Sequence, residues 1–115
     1  MERNWIKVSP PITGAEDFVK PVLADGKKLA LVFGDGKYFA TQSYCPHAGA
    51  DLSRGWCKSG KLICPHHRYE YDLVTGRGNP LQGDYIDVYP VEARADGIYV
   101  GFEVKKSLWE RFFGK

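Results

Sequence analysis

The stretch Cys45-Pro46-His47-Ala48-Gly49-Ala50-Asp51-Leu52 decides how this chain is read, together with its echo Cys64-Pro65-His66-His67-Arg68-Tyr69-Glu70-Tyr71. Each half places one thiol and one imidazole two or three residues apart, and residues 48 to 63 separate the first His from the second Cys. The chain has three Cys and three His, and two of each fall into this pattern. Two cysteines and two histidines from two loops make four ligands. Two metals fit that set: a tetrahedral zinc, and a [2Fe–2S] cluster with both cysteines on one iron and both histidines on the other. Zinc fingers with these donors run Cys-Cys and then His-His. Here each loop mixes the two, which favours the cluster.

Outward from the loops the sequence reads as strands and tight turns. Trp5-Ile6-Lys7-Val8 opens as a short strand ended by Ser9-Pro10-Pro11, and residues 12 to 18 form a loop. Phe18 to Ala24 roughly alternates, with Pro21 restricted to an edge strand or bulge. Asp25-Gly26 is a hairpin turn, and Gly34-Asp35-Gly36 is a second one between Lys28–Phe33 and Lys37–Ser43. Residues 50 to 60, with Ser53, Gly55, Ser59 and Gly60, read as a turn-rich connector. Lys61-Leu62-Ile63 leads into the second ligand loop and Tyr69-Glu70-Tyr71-Asp72 leads out. A last hairpin is expected from Tyr85–Val91, an Ala95-Asp96-Gly97 turn and Ile98–Val104. Thirteen Gly and seven Pro at regular intervals predict an all-β antiparallel sandwich or small barrel. Leu108, Trp109, Phe112 and Phe113 would share one face of a short C-terminal helix over residues 105 to 113, packed back on the sheet.

With 115 residues, 43% hydrophobic and 26% charged, a single domain spanning 1–115 is expected, with its metal-binding region at about 43–82. No basic-then-apolar leader and no long apolar run is present, so neither a secretory signal nor a membrane span is expected. A net charge of +2 is too small and scattered to argue for nucleic acid. Cys57 is left over once the paired cysteines are assigned as ligands. An unpaired thiol suits a reducing compartment, the cytoplasm, and Cys57 reads as a small half-buried hydrophobe.

The two loops resemble those of the Rieske iron–sulfur family, whose pattern is C-x-H…C-x-x-H. The similarity runs on through Asp72-Leu73-Val74-Thr75-Gly76, Asn79-Pro80-Leu81, Tyr89-Pro90-Val91 and Asp96-Gly97-Ile98-Tyr99-Val100. The resemblance implies a Rieske-type sandwich with a cluster-binding subdomain of two loops. It makes Cys45 and Cys64 the ligands of the inner iron, and His47 and His67 the ligands of the outer iron. His66 becomes an exposed neighbour of the ligand, and Pro80 the proline that covers the cluster from a third loop.

The departures from the family are specific. High-potential members carry an additional Cys in each loop, forming a disulfide, where this chain has Ala50 and His66. They carry a Ser and a Tyr, whose hydroxyls bond cluster sulfurs, where this chain has Tyr69 and Tyr71. One donor is thus missing, and Tyr71 is left to supply the other. The expected potential is in the lower part of the Rieske range, about −150 mV. Arg68 stands where many relatives have Gly. It reads either as a tolerated surface residue or as a positive charge offered to an acidic partner.

No nucleotide fingerprint, second metal motif or nucleophile arrangement is present. The resemblance implies a one-electron carrier rather than an enzyme, passing electrons from a flavin-containing reductase to a terminal oxygenase, with no small-molecule substrate of its own. The alternatives are the small accessory subunit of an NAD(P)H nitrite reductase, which often lacks the four ligands, and a colourless structural zinc module.

Overall fold

A computed structural model describes residues 3–12, 14, 16–46, 49–66, 68–78 and 84–103. Three residue pairs ending in Gly set its hairpins. Asp25-Gly26, Asp35-Gly36 and Ser59-Gly60 each place two successive residues at positive φ, at 53° and 82°, 53° and 74°, and 52° and 77°. This is type I′ geometry, whose twist matches that of the strands it joins. The turns connect β2 (Phe18–Ala24) to β3 (Lys27–Gly34), β3 to β4 (Lys37–Gln42), and β5 (Trp56–Lys58) to β6 (Lys61–Ile63). The third hairpin adds a strand to the turn-rich connector expected over residues 50 to 60. That stretch holds a single 3₁₀ turn, Leu52–Arg54, and then β5. A three-residue strand is too short to show alternation.

Among the described residues the strands form three antiparallel sheets. One has the order β2-β3-β4-β8 (Val88–Tyr89); a second joins β1 (Arg3–Ser9), β10 (Gly97–Glu103) and β9 (Val91–Arg94); the third is β5-β6-β7 (Glu70–Asp72). Pro21 lies on an edge strand, as its missing amide requires. The strand expected over Tyr85–Val91 is divided at Pro90. Val88 and Tyr89 pair with Thr41 and Ala40, whereas Val91–Arg94 pairs with Val100–Gly97 in another sheet. Tyr85 makes only an isolated bridge with Arg77. The expected C-terminal helix over residues 105 to 113 lies outside the described residues.

Strand β3 is buried on both faces, which explains its unbroken apolar run Leu29-Ala30-Leu31-Val32-Phe33. Leu29 and Leu31 join Val22, Ala24, Ala40, Ile98 and Val100 in one core. Val32 points the other way and joins Cys45, Leu52, Leu62, Cys64, Tyr71, Leu73 and Ile86 in a second. Each aliphatic side chain fully buried this way contributes about 1.5–3 kcal/mol. The second core holds both paired cysteines, Cys45 and Cys64. Cys57 is half-buried against it, its thiol 3.5 Å from the Phe33 carbonyl oxygen, in keeping with a packing role.

The chain leaves the four-stranded sheet after β4 and returns at β8, and the two ends of this excursion meet. The Gln42 amide donates to the Asp87 carbonyl oxygen at 3.0 Å. The Asp87 amide donates to Gln42 Oε1 at 2.8 Å, and Gln42 Nε2 donates to the Tyr44 carbonyl oxygen at 2.7 Å. The expected ligand region, 43–82, lies within the excursion.

Candidate metal centre

The two ligand loops share one backbone plan. In each, the cysteine amide donates to the carbonyl oxygen five residues on: Cys45 to Ala50 at 2.8 Å and Cys64 to Tyr69 at 2.7 Å. In each, the residue four after the cysteine takes a left-handed conformation to close the loop, Gly49 with φ 65° and Arg68 with φ 55°. The first loop is further braced by Asp51, which caps the 3₁₀ turn by accepting from Ser53 N at 2.9 Å and from the Ser53 hydroxyl. Lys28 on β3 reaches Asp51 Oδ2 at 2.6 Å. Partial burial opposes ionisation of Asp51, but the bonds from Lys28 and Ser53 outweigh it and hold the carboxyl below its usual range.

Cys45 and Cys64 have no exposed surface. Burial pushes the Cys64 thiol up to about 11, against the His66 amide, which favours the thiolate, and with a further upward push from the hydrogen bond and charge of the neighbouring Cys45. Two buried sulfurs this close cannot both ionise unless a cation sits with them, and coordination to a metal deprotonates a thiol outright. The pair therefore suits a metal centre. The His66 amide lies 3.4 Å from Cys64 Sγ and supplies a donor to it.

Tyr71 is fully buried, with its hydroxyl oxygen 3.2 Å from Cys45 Sγ. That hydroxyl also donates to Asp84 Oδ2 at 2.8 Å. Burial, reinforced by Cys45 and Asp84, holds the phenol well above its usual range, so it remains protonated. The sequence pointed to Tyr71 but not to Asp84. The only signal for it was that a buried phenol needs a polar partner, and this partner arrives from across the Thr75-Gly76 turn.

The other expected site residues are distributed as follows. His66 and Arg68 are exposed on the second loop, and Tyr69 is half-buried against the second core. His47, His67 and Pro80 lie outside the described residues. Among the described residues no group of three or more metal-binding side chains forms.

An all-β domain whose paired loops each bury one thiol beneath an exposed tip has the form of an iron–sulfur electron carrier. The chain belongs to the Rieske [2Fe–2S] domain family, whose model matches residues 4–89; its cofactor is a Rieske-type cluster, and the ambiguity between zinc and iron left by the donor set is resolved. The ferredoxin component of the naphthalene 1,2-dioxygenase/salicylate 5-hydroxylase systems of Ralstonia sp is 34% identical over 94 residues, covering 80% of this chain and 89% of that one. The ferredoxin component of the naphthalene 1,2-dioxygenase system of Pseudomonas aeruginosa is 30% identical over 102 residues, covering 87% and 97%. A chain from the complex of reduced oxygenase and oxidised ferredoxin in carbazole 1,9a-dioxygenase superposes with a TM-score of 0.72 at 25% identity, over 90% of this chain and 97% of that one. The Sphingomonas yanoikuyae B1 ferredoxin shares the fold, with a TM-score of 0.74 at 22% identity over 87% and 100%. The chain is a Rieske-type ferredoxin, an electron-transfer component and not itself a catalyst.

Proposed function

We propose that this ferredoxin takes single electrons from a flavin-containing reductase and delivers them to the terminal oxygenase of a ring-hydroxylating or related system in the cytoplasm. Cys45 and Cys64 hold the inner iron, and His47 and His67 the outer one. The observation that carries this reading is the matched pair of loops. Both cysteines are buried, while the chain neighbours of the histidine positions, Pro46, His66 and Arg68, are exposed. Both cysteine sulfurs thus lie inward beneath exposed loop residues, an arrangement suited to a docking partner.

Bound there, the cluster supplies a one-electron redox site. The chain's own residues set its surroundings. The His66 amide adds a donor to Cys64 Sγ, and the apolar side chains of Leu52, Leu62 and Leu73 keep water from the sulfurs. Beside the first loop lies a groove of about 390 Å³ lined by Tyr44, Pro46, Asp84, Tyr85 and Asp87. Tyr44 is 59% and Tyr85 69% exposed, an arrangement suited to aromatic contacts with a partner. Both signs of charge are present, with carboxylates at this groove and the exposed Arg68 on the second loop. Among the described residues no helix is long and apolar enough to cross a membrane.

The test is the visible spectrum with iron and sulfide analysis. A reddish-brown protein with two irons and two acid-labile sulfides is expected, and protein-film voltammetry is expected to give about −150 mV. Substituting His47 and His67 together abolishes the Rieske spectrum, whereas His66→Ala keeps it. A colourless protein loaded with zinc would refute the assignment.

A further inference from the structure

The buried Tyr71 hydroxyl has one proton and two neighbours that compete for it, Cys45 Sγ at 3.2 Å and Asp84 Oδ2 at 2.8 Å. An ionised carboxylate only accepts, and it is a stronger acceptor for O–H than sulfur is. Between a protonated Cys45 and Tyr71 either atom can act as donor. As a metal-bound thiolate, Cys45 has no proton to give, and Tyr71 holds the proton that lies between sulfur and carboxylate.

We propose that Asp84 is a positioning residue that draws the Tyr71 hydroxyl proton away from the Cys45 sulfur and thereby keeps the reduction potential of the site low. The inference rests on the reading of Cys45 as a cluster ligand. A donor to a ligating sulfur stabilises the more negative, reduced state and raises the potential. With Asp84 in place, Tyr71 presents lone pairs to that sulfur instead of a proton. Tyr71 thus occupies the position of a potential-raising donor without acting as one.

The experiment is a double-mutant cycle on the holoprotein, read by reduction potential. Asp84→Ala leaves the Tyr71 proton no carboxylate to follow. At a fixed solution potential the reduced-to-oxidised ratio is expected to rise about tenfold, 59 mV for one electron. Asp84→Asn, which preserves the side-chain shape, shifts it in the same direction. Tyr71→Phe alone is expected to change the ratio by less than about threefold, and in its background the Asp84→Ala shift falls to less than half. Resonance Raman spectra of the iron–sulfur stretches give a second readout. Asp84→Ala gains a sensitivity to D₂O that the double variant lacks. The proposal is overturned if Tyr71→Phe alone lowers the ratio about tenfold, because Tyr71 then already donates to sulfur. It is equally overturned if Asp84→Ala gives the same shift in both backgrounds, because charge alone then accounts for it. A colourless wild-type protein overturns the ligand reading and the proposal together, whereas a normally coloured protein with additive shifts overturns the proposal only.

Discussion

Gly49 and Arg68 occupy equivalent places in the two ligand loops. Each stands four residues after a buried cysteine, and each takes the left-handed backbone that lets the cysteine amide reach the carbonyl five residues on. In the first loop the residue is one that adopts this conformation freely; in the second it carries a Cβ. Arginine at position 68 bears the cost of this conformation, about 1–2 kcal/mol.

Arg68→Gly is therefore expected to stabilise the protein. The gain is about 0.5–1 kcal/mol, because the added freedom of the unfolded chain offsets part of the relief. Gly49→Ala, which introduces the same strain into the first loop, is expected to cost about 1–2 kcal/mol. Urea unfolding checks both: the midpoint moves in opposite directions for the two variants while the slope stays unchanged. A lower midpoint for Arg68→Gly would mean that the guanidinium makes a contact worth more than the strain.

Asp51 joins the first ligand loop to strand β3 through Lys28 and caps the 3₁₀ turn beside it. Asp51→Ala is expected to cost about 1–2 kcal/mol through the lost cap. Lys28→Ala removes only a largely exposed pair and is expected to cost less than about 1 kcal/mol. The pH dependence has a definite sign. The folded carboxyl titrates below its unfolded value, so its contribution is complete above about pH 4 and is lost as pH falls through the folded value. Between about pH 5 and pH 2, the stability of Asp51→Asn falls less steeply than that of the wild type. Equal slopes in chemical denaturation would show that Asp51 is not the group responsible.

Gln42 pins both ends of the ligand-bearing excursion with side-chain bonds to Asp87 and Tyr44. Gln42→Ala is expected to cost about 1–3 kcal/mol, since it removes two part-buried hydrogen bonds worth about 0.5–1.5 kcal/mol each. Hydrogen exchange provides the local readout. The Asp87 amide, which donates to Gln42 Oε1, is expected to lose protection, while amides of β3 shift only by the global change in stability.

Local signals carried much of the fold in the sequence. Asp25-Gly26 and Asp35-Gly36 placed two hairpins because the type I′ turn demands residues that tolerate positive φ, and Pro21 marked an edge strand because it lacks an amide. The paired Cys and His spacing pointed to the metal-binding loops, and the Tyr71 hydroxyl oxygen lies 3.2 Å from the Cys45 sulfur. Less legible were features set by distant partners. Trp56–Lys58 is a strand through its pairing with Lys61–Ile63, not through any pattern of its own. Pro90 divides what looked like one strand because the residues on its two sides hydrogen-bond to different sheets. The Asp84 contact with Tyr71 depends on how the chain folds back after Thr75-Gly76, which neither residue type reveals.

The meeting of Gln42 and Asp87 also bears on how such a protein is assembled in evolution. Seen from the four-stranded sheet, the chain leaves after β4 and returns at β8 through one doorway, where Gln42 and Asp87 meet. The metal-binding half is in this sense a graft on a β scaffold. Transplanting it to another host requires a strand pair that reproduces the doorway, an apolar face such as that of Val32 on which its core can rest, and a cation placed as Lys28 is for Asp51.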